Sequence, residues 1–405
     1  MSLFDSIQLL PEDPIMHLPQ LFAAEKNPNK VNLGIGSYKD SHGQPLVFGA
    51  VREAEKILLQ NQPNKEYPPI EGNQQFIDAT LKLIFSEELL KSISNTLFAQ
   101  QTVGGTCALR VAGEFLAHYG AREIYLPSPT WPNHNLIFQY AYLNPKSYPY
   151  YNSAIHAIEF DSLLQSLDKM KERSVVLLQA SCHNPTGVDL SSFQWEQLSI
   201  IIKKKRLIPL FDFAYQGFGE GIEQDALAVR LFAQEQHEMF VAYSFAKNFG
   251  LYGERVGLLA VIAKTPEARN KMRSHLKQLA RSNYSVPPLH GARIVSTILH
   301  SEVLTQHWRE ELSAVCNRIK EMREALVTGL MAAGVKKDMN YLKKQIGMFS
   351  FTDLAPAQVQ YLREQYGIYL AGNGRANIAG LNHENLQYVI TALADVIQVA
   401  SRINA

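Results

Sequence analysis

A chain of 405 residues with 46% hydrophobic content can bury a large core and is expected to form two domains. Its 39 basic and 38 acidic residues leave a formal net charge of +1, which gives no electrostatic basis for binding nucleic acid or an anionic membrane. Three cysteines, Cys107, Cys182 and Cys316, have no paired spacing and read as reduced thiols, and no CxxC or HExxH pattern points to a metal.

The opening segment MSLFDSIQLLPEDP carries acids where a signal peptide needs basic residues, and no apolar run reaches bilayer length, so a cytoplasmic location is expected. At 103–108, VGGTCA, two glycines let the backbone approach an anion, and Thr106 is read as the cap of the following helix. Leu109, Ala112, Phe115 and Leu116 share one face of that helix. GGTCAL has neither the GxGxxG order nor the lysine of a P-loop, which argues against a dinucleotide or triphosphate. Strand-like runs at 123–126, 175–179, 207–211, 239–243 and 257–262 alternate with amphipathic helical stretches. This βαβ rhythm predicts an α/β fold with a mostly parallel central sheet sandwiched by helices. Trp131, in SPTWPNH, opens one of the helices, and the basic run 203–206 ends the helix that begins near Phe193.

Three strand ends carry chemistry-bearing side chains, and open α/β sheets bind ligands at such ends. The run 174–180 leads into SCHNPTG, which offers the amide of Asn184. The run 207–213, LIPLFDF, carries Asp212 near its end, with Tyr215 two residues beyond Phe213. The run 239–243 is followed by Ser244, Lys247 and Arg255. A nucleophilic amine, a hydroxyl and a fork-shaped cation suit an aldehyde cofactor that carries a phosphate. A carboxylate opposite the ring nitrogen would hold the proton that makes pyridoxal phosphate an electron sink, while Tyr215 and Asn184 offer donors for the ring's phenolate oxygen. After about residue 302 come a long charged helical stretch, GMFSFTDL, a helix near 356–366, IYLAGNGRANIAG and a final helix near 384–401, read as a separate α+β domain.

From LGIGSYKD at 33–40 to AGNGRANIAGL at 371–381, these motifs in this order resemble the class I aspartate or aromatic amino-acid aminotransferases, pyridoxal-phosphate enzymes of fold type I. The resemblance implies a large cofactor domain at 38–310 and a small discontinuous domain of 1–37 plus 311–405. It implies that Lys247 binds the cofactor aldehyde and moves the substrate proton, and that Gly105, Thr106, Ser244 and Arg255 hold the phosphate, with Tyr67 reaching in from a second subunit. Trp131 would cover the ring and His134 would stand behind Asp212. Arg375 would clamp the α-carboxylate, with Gly36, Asn184 and Trp131 completing the substrate pocket, and Arg281 would reach from the partner subunit to the side-chain carboxylate of a dicarboxylic substrate. A homodimer with shared sites follows, moving the amino group of L-aspartate to 2-oxoglutarate by ping-pong turnover and interconverting aspartate/glutamate with oxaloacetate/2-oxoglutarate. Aromatic amino acids are the alternative donors, because relatives that accept them keep the same arginine. Three departures stand out. Ala246 replaces a serine of some members, which would weaken the phosphate grip. Gln179 replaces a frequent histidine, which would loosen the relay to Asp212. Val286 replaces an expected asparagine or serine on a rim shared with Ser37, Lys39 and Glu66.

Overall fold

The computed structural model describes residues 3–13, 15–61 and 64–403. They form two compact units, one drawn from Pro45–Lys320 and Lys344–Met348, the other from Met1–Gln44, Glu321–Lys343 and Phe349–Ala405.

The larger unit is built on a seven-stranded sheet whose strands we number along the chain: β1 (Leu97–Val103), β2 (Glu123–Ser128), β3 (Asn144–Pro149), β4 (Val175–Gln179), β5 (Ile208–Phe213), β6 (Met239–Ser244) and β7 (Val256–Ile262). Their spatial order is β1-β7-β6-β5-β4-β2-β3. Five strands pair in parallel, while β7 runs antiparallel to both β1 and β6. Every residue of β4, β6 and β7 is buried, which explains why these strands read as continuous apolar runs rather than alternating ones. Helix α1 (Gly104–His118) packs Leu109, Ala112, Phe115 and Leu116 into the core formed by Val175, Leu177, Leu210, Phe240 and Leu259 of the sheet. Helix α2 (Asn133–Tyr140) follows β2, and α3 (Ser192–Lys205) starts at a capping box of Ser191 and Gln194. The last turn of α3 holds Lys203, Lys204 and Lys205, cations placed against the negative end of the helix dipole. Helix α4 (Pro266–Asn283) is followed by the helices His290–Leu299 and Glu302–Ala332.

The smaller unit pairs Val31–Asn32 in parallel with Ile368–Tyr369, and Phe349–Phe351 antiparallel with Arg375–Asn377. Its helix Pro356–Tyr366 stops at Gly367, whose left-handed backbone (φ 61°) closes the last turn. Among the described residues, no helix is long and apolar enough to cross a membrane.

Candidate active site

Because β1, β4, β5 and β6 run in one direction, their carboxyl ends share one edge of the large sheet, and Gly105, Asn184, Asp212, Ser244 and Lys247 lie at or just past those ends. At the end of β1 the chain enters α1 without a linker. Gly104 takes φ 76°, and a Cβ on it would lie 2.6 Å from Arg255 Nη2. A Cβ on Gly105 would lie 3.0 Å from the Cβ of Ser244, and one on Gly257 would lie 2.5 Å from the carbonyl carbon of Gly104. Arg255 itself has a left-handed backbone (φ 56°), an uncommon conformation for a non-glycine residue, and its Nη1 donates to Tyr252 O at 3.1 Å. The open backbone N–H groups of a helix start are thus gathered with a hydroxyl and a guanidinium in a cradle packed closely against its glycines. Thr106 is not the helix cap. The glycines are themselves helical, so Val103 takes the cap position and Thr106 lies in the first turn. At the position of the missing serine, the backbone N–H of Ala246 donates to Ser244 Oγ at 3.3 Å, leaving that hydroxyl its own proton to donate.

Next along the edge, His134 is fully buried and its Nε2 lies 3.0 Å from Asp212 Oδ2, while Thr130 Oγ1 lies 2.7 Å from its Nδ1. An ionised Asp212 only accepts, so Nε2 carries a proton toward it, and in the neutral ring Nδ1 then accepts from Thr130. The relay behind Asp212 is therefore a threonine–histidine pair. Thr130 went unread in the sequence because it lies in the loop before α2, where helical spacing does not say which side chains meet. The Trp131 ring stands edge-on to His134 at 5.2 Å. Asn184 Nδ2 donates to Tyr215 Oη at 3.3 Å, and Lys247 Nζ sits 5.3 Å from the Tyr215 ring centroid. Asp212, Asn184 and Tyr215 are all buried, and Lys247 is half-buried.

Gln179 departs from expectation. Its amide does not enter the Asp212 relay: Oε1 accepts from the backbone N–H of Asn184 at 2.8 Å and Nε2 donates to Asn184 O at 3.0 Å. The reason is that the chain turns back sharply after β4, presenting the Asn184 backbone to the Gln179 side chain, while Asp212 faces His134. The same loop is held by Asp189, another residue that sequence reasoning missed. Its carboxylate accepts from Cys182 N at 2.5 Å and His183 N at 2.8 Å, and burial pushes its pKa up to about 6. Beside it, His183 stacks on Tyr150 with ring centroids 4.1 Å apart, and burial first, then His134, pushes its imidazole down to about 3.

In the small unit, Arg375 is 3% exposed, its Nη2 donates to Gly34 O at 2.7 Å, and its guanidinium lies 4.2 Å from the Phe349 ring centroid. Gly36 is part of the same seat, since a Cβ there would lie 2.9 Å from Phe349 Cζ. Ser37 O accepts from Asn377 Nδ2 at 2.8 Å, and burial lowers the pKa of Lys39. Tyr67 and Arg281 are exposed on the single chain. Tyr67 is 82% exposed with its backbone N–H held by Glu66 Oε1 at 2.8 Å, and Arg281 donates to Ser285 Oγ near the end of α4, just before Val286.

The donors of the glycine cradle match a phosphate, Asp212 with its histidine support matches a protonated ring nitrogen, and Lys247 supplies an amine just past Ser244 in sequence and beside Tyr215 in space. These groups fit pyridoxal phosphate and define the chemistry of a fold type I enzyme. The sequence profile of the family described as "Aminotransferase class I and II" matches residues 28–393. The chain is 44% identical to aspartate aminotransferase 1 of Medicago sativa over 98% of its length and 96% of that protein. It is 41% identical to the aspartate aminotransferase of Escherichia coli K12 over 98% of its length and 100% of that protein. The aromatic-amino-acid aminotransferase of Burkholderia pseudomallei, solved covalently bound to pyridoxal phosphate, superposes with a TM-score of 0.95 at 41% identity, covering 98% of this chain and 100% of that one. The chain belongs to the class I and II aminotransferases. It is a pyridoxal-phosphate-dependent enzyme that acts on amino and keto acids.

Proposed function

We propose that this aminotransferase moves the amino group of L-aspartate to 2-oxoglutarate, using two arginines from different places in the fold to hold a dicarboxylic substrate. The observation that carries this reading is the contrast between them. Arg375 sits buried in a seat of Gly34, Gly36 and Phe349, suited to one invariant carboxylate. Arg281 is exposed at the end of α4, where its guanidinium donates to the hydroxyl of Ser285 and suits a variable side chain. When bound, pyridoxal phosphate supplies an electron sink for the charge that develops at the substrate Cα. Lys247 holds the cofactor aldehyde and its amine moves the Cα proton. Asp212 keeps a proton at the ring nitrogen and is oriented by His134, itself set by Thr130. Asn184 and Tyr215 donate to the phenolate oxygen, Trp131 excludes water from one ring face, and Gly105, Thr106, Ser244 and Arg255 hold the phosphate. The exposure of Tyr67 and Arg281 supports a homodimer in which each completes the partner's site, and three free cysteines support a reducing, cytoplasmic setting. The likeness to an aromatic-amino-acid aminotransferase supports aromatic donors as a second reading.

A heterodimer of Lys247→Ala and Arg281→Leu subunits, purified through two different tags, tests the shared site. It has one site with both residues intact, so its activity with aspartate is expected to be about half that of the wild type. Each mutant homodimer is expected to fall about a hundredfold or more. The Arg281→Leu homodimer keeping phenylalanine turnover would assign Arg281 to dicarboxylates. A heterodimer no more active with aspartate than its parents would contradict the shared site.

A further inference from the structure

We infer that Gln179 is a positioning residue for the reaction: by clamping both backbone polar groups of Asn184, it fixes where the Asn184 amide meets the Tyr215 hydroxyl. The inference rests on the proposed role of Asn184 and Tyr215 as donors to the cofactor's phenolate oxygen. Gln179 closes β4 and is 7% exposed. Its side chain forms two complementary bonds with one residue, accepting from Asn184 N at 2.8 Å and donating to Asn184 O at 3.0 Å. A buried amide paired in this way behaves like an added rung of a sheet, and it restrains the two peptide groups that carry the Asn184 side chain.

The rest of the loop is fixed from its far side. Asp189 holds Cys182 N and His183 N, Thr186 Oγ1 pairs with His183 Nδ1 at 2.8 Å, and Gly187 N donates to His183 O at 2.7 Å. None of these bonds reaches Asn184. Gln179 ties Asn184 to the sheet through both of its backbone polar groups, and the sheet also carries Asp212, the residue paired with Gln179 in register across β4 and β5. One glutamine therefore keeps the phenolate-side donors in step with the ring-nitrogen partner. Losing it leaves the loop closed by Asp189 but lets the Asn184 amide drift from its 3.3 Å contact with Tyr215.

Gln179→Met keeps the volume and removes both hydrogen bonds. Donors to the phenolate lower the pH at which the bound cofactor's visible band titrates, so a weakened pair raises it. The experiment compares this midpoint in the holoenzymes of wild type, Gln179→Met, Asn184→Ala and the double variant, with melting temperatures alongside. Gln179→Met is expected to raise the midpoint by about half to one pH unit. The double variant is expected to match Asn184→Ala alone, because Gln179 acts through Asn184. A shift in Asn184→Ala with a wild-type midpoint in Gln179→Met overturns the inference, as does an additive shift in the double variant. An unshifted midpoint in Asn184→Ala overturns the proposed donor role itself, and the inference with it.

Discussion

Replacing Lys247 by alanine is expected to lower turnover of any amino acid by about a thousandfold or more, while the protein stays folded. The size follows from the neighbourhood. Asp212 is committed to His134 and, on the proposed reading, to the ring nitrogen, and the imidazole of His134 is held between Asp212 and Thr130. Neither can take over a proton transfer at the substrate Cα. Lys247 is half-buried, and the part of the structural cost that comes from its contact with the Tyr215 ring, at 5.3 Å, is of a kind worth about 0.5–1 kcal/mol. Steady-state rates together with a melting curve separate the two effects. Near-normal turnover of Lys247→Ala would remove Lys247 from the mechanism.

Asp212→Ala is expected to have the second largest effect, a loss of kcat on the order of a thousandfold, equivalent to about 4 kcal/mol. Without the carboxylate, nothing at the end of β5 holds a proton on the ring nitrogen, and the electron sink is weakened at its source. This variant also carries a stability penalty. His134 is fully buried and would lose the acceptor 3.0 Å from its Nε2, a cost of about 1–3 kcal/mol for an unsatisfied buried donor. Asp212→Glu retains the charge, so partial recovery of kcat is expected there. If Asp212→Ala lost only stability, with kcat of the folded fraction unchanged, Asp212 would be a structural residue.

The strands that position these groups were legible because sheet burial on both faces leaves unbroken runs of Val, Leu, Ile and Phe, and β4 begins and ends where its run does. The direction of β7 was less plain, since an apolar run reads alike either way. Its signal lies in residues 245–255, which hold no helix and are too short for the crossover that joins parallel neighbours. β1 went unread because its centre, AQQT, mixes polar residues into a strand at the sheet's edge.

The site separates in the same way. Lys247, Asp212 and Asn184 could be picked out because each follows or ends a strand run, and position along a parallel strand predicts which edge a side chain reaches. The partners of a side chain are another matter. Sequence shows that Gln179 ends a strand, but whether its amide turns toward Asp212 or toward Asn184 depends on how the chain folds back through Ser181 and Cys182, the latter in a left-handed conformation (φ 53°). Asp189 was hidden for the same reason, as a loop acid whose role is set by the two backbone N–H groups it closes over.

The central claim is that Lys247 and its neighbours carry an amino group between two substrates by way of bound pyridoxal phosphate. The most direct measurement is the absorbance spectrum of the purified holoenzyme as aspartate and then 2-oxoglutarate are added. The account predicts a visible cofactor band that aspartate bleaches and 2-oxoglutarate restores. A protein that shows no such band even after pyridoxal phosphate is supplied would contradict it.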